Sequence, residues 1–148
     1  MRTIFTGIAL LASITATFAQ APLGTETEAR ALLERAVTAL RADPAGAIVR
    51  FNRADGGFQD RDLYVVCFEM GSGIVRTHVD AGQRGLDIRT VKQSDGQPFG
   101  ARLFNAARPA TIATVDYSYP KPGSTIPAPK QSFVTRVGNT GCLVGYYK

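Results

Sequence analysis

The chain contains no tryptophan, one histidine and two cysteines in 148 residues, and each scarcity removes a class of function. Cys67 and Cys142 stand 75 positions apart. With His78 alone between them, no CxxC or Cys/His spacing exists for a zinc site, and little remains to hold a haem or cluster. No cofactor is therefore expected. No Ser or Cys has a base at a recognisable spacing, GxSxG is missing, and carboxylates such as Glu69 and Asp80 are dispersed, so the chain does not read as an enzyme. Basic residues are scattered and form no Lys/Arg-rich block, which argues against a nucleic-acid partner.

What is present begins with a targeting segment. "MRT" carries one positive charge, "IFTGIALLASITATF" is uncharged and largely apolar, and Thr17 and Ala19 place small residues at the −3 and −1 positions of a cut before Gln20. This pattern predicts a signal peptide over residues 1–19 and a single mature domain over residues 20–148. A membrane anchor is the competing reading. The apolar part stops near Phe18, however, and "QAPLGTETE" follows without a basic stop-transfer flank, so no membrane insertion is expected after cleavage. Export to the periplasm follows. Without Arg2, 16 basic and 12 acidic side chains remain, a net charge of +4 that suits a small anionic ligand.

The two cysteines leave two readings. In an oxidising compartment an even pair is most simply a disulfide, whereas two buried free thiols in neighbouring strands would also fit.

Along the chain, Thr25 and Glu28 have the spacing of a capping box. Ala29, Leu32, Leu33, Ala36, Val37 and Leu40 then recur at three and four, predicting a long amphipathic helix. "PAGAIVRFNR" reads as a short second helix packing Ile48, Val49 and Phe51. From "DLYVVCFEM" the period becomes two, with Tyr64, Val66 and Phe68 on one face and Leu63, Val65 and Cys67 on the other. "IVRTHV" returns as a hairpin partner. A short helix is expected over residues 98–107, with Phe99, Leu103 and Phe104 inward. "TIATVDYSY", "KQSFVTRV" and "CLVGYYK" complete a five-stranded antiparallel sheet, and a Cys67–Cys142 bridge would require the last strand to lie beside the first. The fold class is α+β. Between the third and fourth strands, Pro120, Pro122, Pro127 and Pro129 predict a long, stiff loop held off the sheet edge.

The order of "DLYVVCFEM-GSGIVRTH", "GLDIRTVKQSDGQPF", "VDYSYPKP", "PKQSFVTRV" and "CLVGYY" resembles the single Cache domain, in particular its bacterial type-2 group. That resemblance implies a long helix laid on a five- to six-stranded antiparallel sheet of PAS-like shape, outside the cytoplasm. It also implies a sensor for a short carboxylate, working with a membrane receptor or histidine kinase. Carried over by position, it points to Tyr64, His78, Asp116, Tyr117 and Lys130. Lys130 offers a full charge to a carboxylate, and a phenol or imidazole supplies directional hydrogen bonds. The family commonly has a Trp three residues before the tyrosine of the third strand, where this chain has Thr114.

Each of these residues also has a plainer reading. Lys130 fits a solvated loop lysine, Tyr64 and Tyr117 fit core aromatics, and His78 fits a hydrogen-bonded strand end. Asp116 fits a partner for a nearby base, since it would repel an anion. The leading expectation is a stand-alone periplasmic domain binding a small anion beneath the proline loop, with Tyr117 and Lys130 at the feet of that lid. The alternative is a ligand-free accessory module on the same fold, associated with a membrane signalling or redox system.

Overall fold

Two capped helices open the computed structural model, which describes residues 21–148; the signal peptide expected over residues 1–19 lies outside the described residues. Helix α1 spans Glu26–Ala42. Thr25 Oγ1 accepts from the Glu28 backbone N–H at 3.3 Å while Glu28 Oε2 accepts from the Thr25 N–H at 2.8 Å, so both sides of the capping box form. Its buried stripe is Ala29, Leu32, Leu33, Ala36, Ala39 and Leu40. Asp43 ends α1 and caps α2 (Pro44–Arg53), its Oδ1 accepting from the Gly46 N–H at 3.0 Å. Ala47 and Phe51, four residues apart, turn α2 inward. Val49 lies on the opposite side of the helix and is exposed, contrary to the packing expected of it.

The next elements are strands β1 (Gln59–Asp60), β2 (Leu63–Tyr64), β3 (Val66–Glu69) and β4 (Val75–Thr77). The stretch read as one strand is thus divided. Leu63 and Tyr64 pair back on β1 through a turn in which Arg61 takes φ 55°, while β3 joins the main sheet. Helix α3 follows at Gly100–Ala106, then β5 (Ala113–Pro120), β6 (Pro127–Val137) and β7 (Thr140–Tyr147). The main sheet has the order β4-β3-β7-β6-β5, antiparallel throughout. Helix α3 starts two residues later than expected, and its first turn presses on the 3-10 turn at Ile88–Thr90. A Cβ at Gly100 would collide with the Ile88 carbonyl oxygen, so only glycine fits. Phe104 is half-buried, with the Arg89 guanidinium 5.3 Å above its ring.

Side-chain alternation gives the sheet two different faces. On one, Leu63, Val65, Cys67, Phe133, Cys142, Val144 and Tyr146 meet α1 and α2. On the other, Val66, Phe68, Val75, Val115, Val134 and Leu143 meet Ile88, Phe99 and Leu103. Cys67 and Cys142 are directly opposite in the β3–β7 register, with Cα atoms 4.1 Å apart, and are joined by a disulfide on the helix side. Close by, Thr77 Oγ1 accepts from the Cys67 N–H at 2.7 Å and donates to the Val65 carbonyl at 3.0 Å. One buried hydroxyl thereby replaces ladder bonds where the β3–β4 register slips.

The proline-rich connection differs most from expectation. Pro120 pairs with Pro127 and Ser118 with Pro129, so β5 and β6 continue through three of the four prolines, and only residues 121–126, with Pro122, form the loop. Prolines are tolerated there because the β6–β7 ladder begins only at Lys130–Tyr147, leaving the first residues of β6 with one strand neighbour.

The bridge closes a separation of 75 residues, for which chain entropy gives roughly 4 kcal/mol of stabilisation. The double variant Cys67→Ala/Cys142→Ala is expected to lose a stability of that order in denaturant unfolding. Unreduced native protein is expected to weigh two hydrogens less than the dithiol form by mass spectrometry.

Candidate ligand-binding site

The site grows from the register of three strands. Tyr117 on β5, Lys130 on β6 and Tyr147 on β7 are consecutive cross-strand partners, so their side chains stand in a row on the face away from α1. Tyr119, two residues beyond Tyr117, joins the same face. Beside this row lies a partly open cavity of about 60 Å³. Because one water needs about 10–15 Å³ on this measure, there is room for roughly four to six water-sized groups. Val66, Val75 and Leu143 line it from the sheet; Ile88, Val91, Phe99 and Leu103 close it from above; Tyr64, His78 and Gln83 stand at its edge.

Lys130 is only 3% exposed. Its Nζ lies 4.6 Å from the ring centroid of Tyr147, 5.2 Å from that of Tyr64 and 5.3 Å from that of Tyr119. Among the described residues it joins no ion pair. Burial pushes its pKa down to about 8, opposed by the field of Asp62. Three aromatic faces and the field of the buried Asp62 carboxylate therefore hold a desolvated ammonium. Room for its stem comes from Gly145, where a Cβ would stand 2.8 Å from Lys130 Cε, 2.7 Å from Ser132 Oγ and 3.0 Å from Tyr117 Oη.

The surrounding groups are neutral. The Tyr117 hydroxyl is hydrogen-bonded to Ser132 Oγ at 2.8 Å, and its ring stacks on Phe99 with centroids 4.6 Å apart. Burial holds the Tyr64 and Tyr117 phenols well above the ordinary tyrosine range. Tyr147 is raised to about 12 by the same cause, and its hydroxyl donates to the Pro120 carbonyl. His78 Nδ1 accepts from the Asp80 N–H at 3.0 Å, which leaves the proton of the neutral ring on Nε2. Burial, with help from the charge of Lys130, pushes its pKa down to about 4. The ring meets Tyr64 edge-on at 5.1 Å, while Arg84 fixes the His78 carbonyl through two donors at 2.9 and 3.0 Å.

Tyr64, His78, Tyr117 and Lys130 are thus brought to one cavity. Asp116 is not: it faces outward, accepting from Gln131 at 2.8 Å and pairing with Lys148 at 2.7 Å. The lid expectation is also corrected, because residues 121–126 do not line the cavity and the roof comes from the segment between Ile88 and Leu103. Sequence reasoning missed Tyr119, Tyr147 and Gly145. Tyr119 was legible from its spacing of two from Tyr117, whereas Tyr147 and Gly145 required the β6–β7 register.

Two stability effects follow from these pKa values. Lys130 binds its proton less tightly folded than unfolded, so stability is fullest above pH 10.5 and falls as pH drops through 8. The penalty at neutral pH is on the order of 3 kcal/mol. Lys130→Met is therefore expected to raise the neutral-pH melting temperature of the ligand-free protein, and an unchanged or lower value would contradict this. His78 is likewise depressed, so its contribution is present above pH 6.5 and is lost as pH falls toward 4. Acid unfolding should be less steep over that window in His78→Gln.

Comparison with known proteins agrees with this geometry. The family described as single Cache domain 2 matches residues 4–147. A methyl-accepting chemotaxis protein from Vibrio parahaemolyticus RIMD 2210633 shares the fold with a TM-score of 0.65 at 19% identity, over 82% of this chain and 87% of that one. The periplasmic sensor domain of a chemotaxis protein aligns with a TM-score of 0.58 at 24% identity, over 80% and 87% of the two chains. A Cache chemosensory domain, described for its recognition of carboxylic acids, aligns with a TM-score of 0.54 at 20% identity, over 82% and 86%. No curated protein sequence matches significantly. An α+β fold of helices on a five-stranded antiparallel sheet, with a family match over nearly its whole length, makes this chain a member of the single Cache domain 2 family.

Proposed function

We propose that the protein is a periplasmic sensor domain that binds a short monocarboxylate and relays the bound state to a membrane receptor or histidine kinase. The observation that carries this reading is the Lys130 ammonium, buried beside a cavity and, among the described residues, in no ion pair, with only the field of the buried Asp62 opposing its desolvation. A ligand carboxylate would supply the missing charge in a water-poor site, where such a pair is strong. The neutral Tyr64 hydroxyl and the His78 Nε2–H are donors to orient it.

The lining also limits the ligand class. It contains one cation and no acidic residue, so a second carboxylate would go unneutralised and an amino group would find no partner. Val66, Val75, Ile88 and Leu143 suit a short aliphatic tail. Membership of a sensor-domain family and an opening that reaches Lys130 both support binding over a filled, ligand-free accessory module. They support binding over catalysis as well.

Strand β2 offers a route for the relay. Tyr64 faces the cavity, while its neighbour Leu63 sits against Gly24, where any Cβ would overlap the leucine side chain. Asp62 Oδ1 accepts from the buried Gly24 N–H at 2.6 Å. The strand that touches the ligand thus also fixes the residue just before the Thr25 cap of α1. A shift of Tyr64 on binding would be felt at the start of that helix.

Thermal shift and calorimetry with acetate, propionate, butyrate, pyruvate and lactate test the reading. At least one is expected to stabilise the protein, by about 2.7 kcal/mol at a hundredfold excess over Kd. Lys130→Met should abolish that stabilisation, and the methyl esters should give none. If no member of the panel binds, the proposal fails.

A further inference from the structure

The ion-pair reading leaves one property of the cavity unused. Lys130 is held near pH 8 by burial, so at pH 7 about one molecule in ten carries it as a neutral amine, against roughly one in three thousand for an ordinary lysine. Lys92, Lys121 and Lys148 have no such environment, being exposed or half-exposed. A neutral amine in an apolar pocket is a nucleophile toward carbonyl carbon. The geometry supports that chemistry. Nζ stands in a cage of three rings beside free volume, Gly145 leaves the stem unobstructed, and among the described residues no carboxylate forms an ion pair with the nitrogen.

We infer that Lys130 condenses reversibly with small carbonyl compounds, and that the cavity takes α-oxo acids as imines at this residue as well as plain carboxylates as ion pairs. The inference rests on the carboxylate reading above. The amine lone pair attacks the carbonyl carbon and forms a C–N bond, the carbonyl π electrons move to oxygen, and one proton passes from nitrogen to that oxygen. The carbinolamine then takes up a further proton on its hydroxyl and releases water, leaving a protonated C=N bond. Nothing is oxidised or reduced. Overall, the lysine ammonium and the carbonyl give an iminium and one water, so the positive charge stays in the cavity beside the ligand's own carboxylate.

The site has what both proton movements need. The hydroxyl of Tyr64 and the Nε2–H of His78 are protonated donors at the cavity edge, and Tyr117 is fixed in the next register position. The groups facing the amine are the rings of Tyr64, Tyr119 and Tyr147, with Asp62 the acid whose field reaches it. None of these competes as a carbon nucleophile.

Glyoxylate, with glycolate as its match lacking a carbonyl group, tests the inference in the purified full-length protein. Each is added at pH 7 with sodium cyanoborohydride, and the modified lysines are mapped by mass spectrometry. Glyoxylate is expected to leave a reduced carboxymethyl adduct on Lys130 at least tenfold faster than on Lys92, Lys121 or Lys148. Excess of whichever carboxylate stabilises the protein should slow the reaction at Lys130 alone. Modification of Lys130 no faster than the exposed lysines, while plain carboxylates still raise the melting temperature, would overturn the imine and leave the ion pair standing. Absence of both effects would remove the carboxylate reading together with it.

Discussion

An ammonium taken out of water without a carboxylate beside it is the constraint around which this face of the sheet is organised. Removing such a charge from water costs several kcal/mol even after the protein relaxes. Here the opposing contributions are the field of the buried Asp62 and three tyrosine faces at 4.6–5.3 Å, each face worth about 0.5–2 kcal/mol. The balance leaves a lysine that is tolerated but not satisfied, and its lowered pKa records the difference. Every neighbouring choice is consistent with keeping it so. The residue opposite Ser132 is Gly145, which lets the lysine stem lie flat on the sheet, and the nearby polar groups are phenols and an imidazole held in their neutral forms. A charge left incompletely compensated is a poor device for stability and a good one for recognising an anion.

The opposite face adds stabilising features of its own. The capped α1, its alanine and leucine stripe and the Cys67–Cys142 bridge all lie on the helix side. The disulfide joins β3 to β7 in the middle of the sheet, so the strands that carry Val66 and Leu143 to the cavity floor are locked in register from behind. The roof is built differently, from the short 3-10 turn at Ile88–Thr90 and the seven-residue α3, which meet through the gap left by Gly100. One side of the sheet is core throughout, whereas the other divides between a smaller core around Phe68 and Val134 and the cavity.

Much of this was legible in the residues, for identifiable reasons. Alternation along "DLYVVCFEM" separated Tyr64, Val66 and Phe68 from Leu63, Val65 and Cys67, and the structure keeps that division although the strand is split. The capping box and the three-and-four spacing of α1 are local signals, and both appear in the structure, except that Val37 is only half-buried and Ala39 is buried instead. Helix α2 shows where such reading stops: Ile48, Val49 and Phe51 are all apolar, and Phe51 and Ile48 pack on the core, yet Val49 on the far side of the helix is exposed. The proline hairpin failed for a related reason. Proline argues against a strand only where a second neighbour needs its N–H, and sequence does not show that β6 has one neighbour there. Tyr147 and Gly145 were invisible because their place beside Lys130 depends on pairing between β6 and β7 rather than on either strand alone.

In the proposed function, sensing turns on a single physical change, the neutralisation of Lys130 by a ligand carboxylate, and a nitrogen-15 NMR titration of the Lys130 side-chain amine measures that change directly. The free protein should show an amine titrating near pH 8. Saturation with the carboxylate that stabilises the protein should move the midpoint upward, toward or beyond the ordinary lysine value of 10.5. A free amine that already titrates near 10.5, or one whose midpoint does not move when the carboxylate binds, would contradict the account.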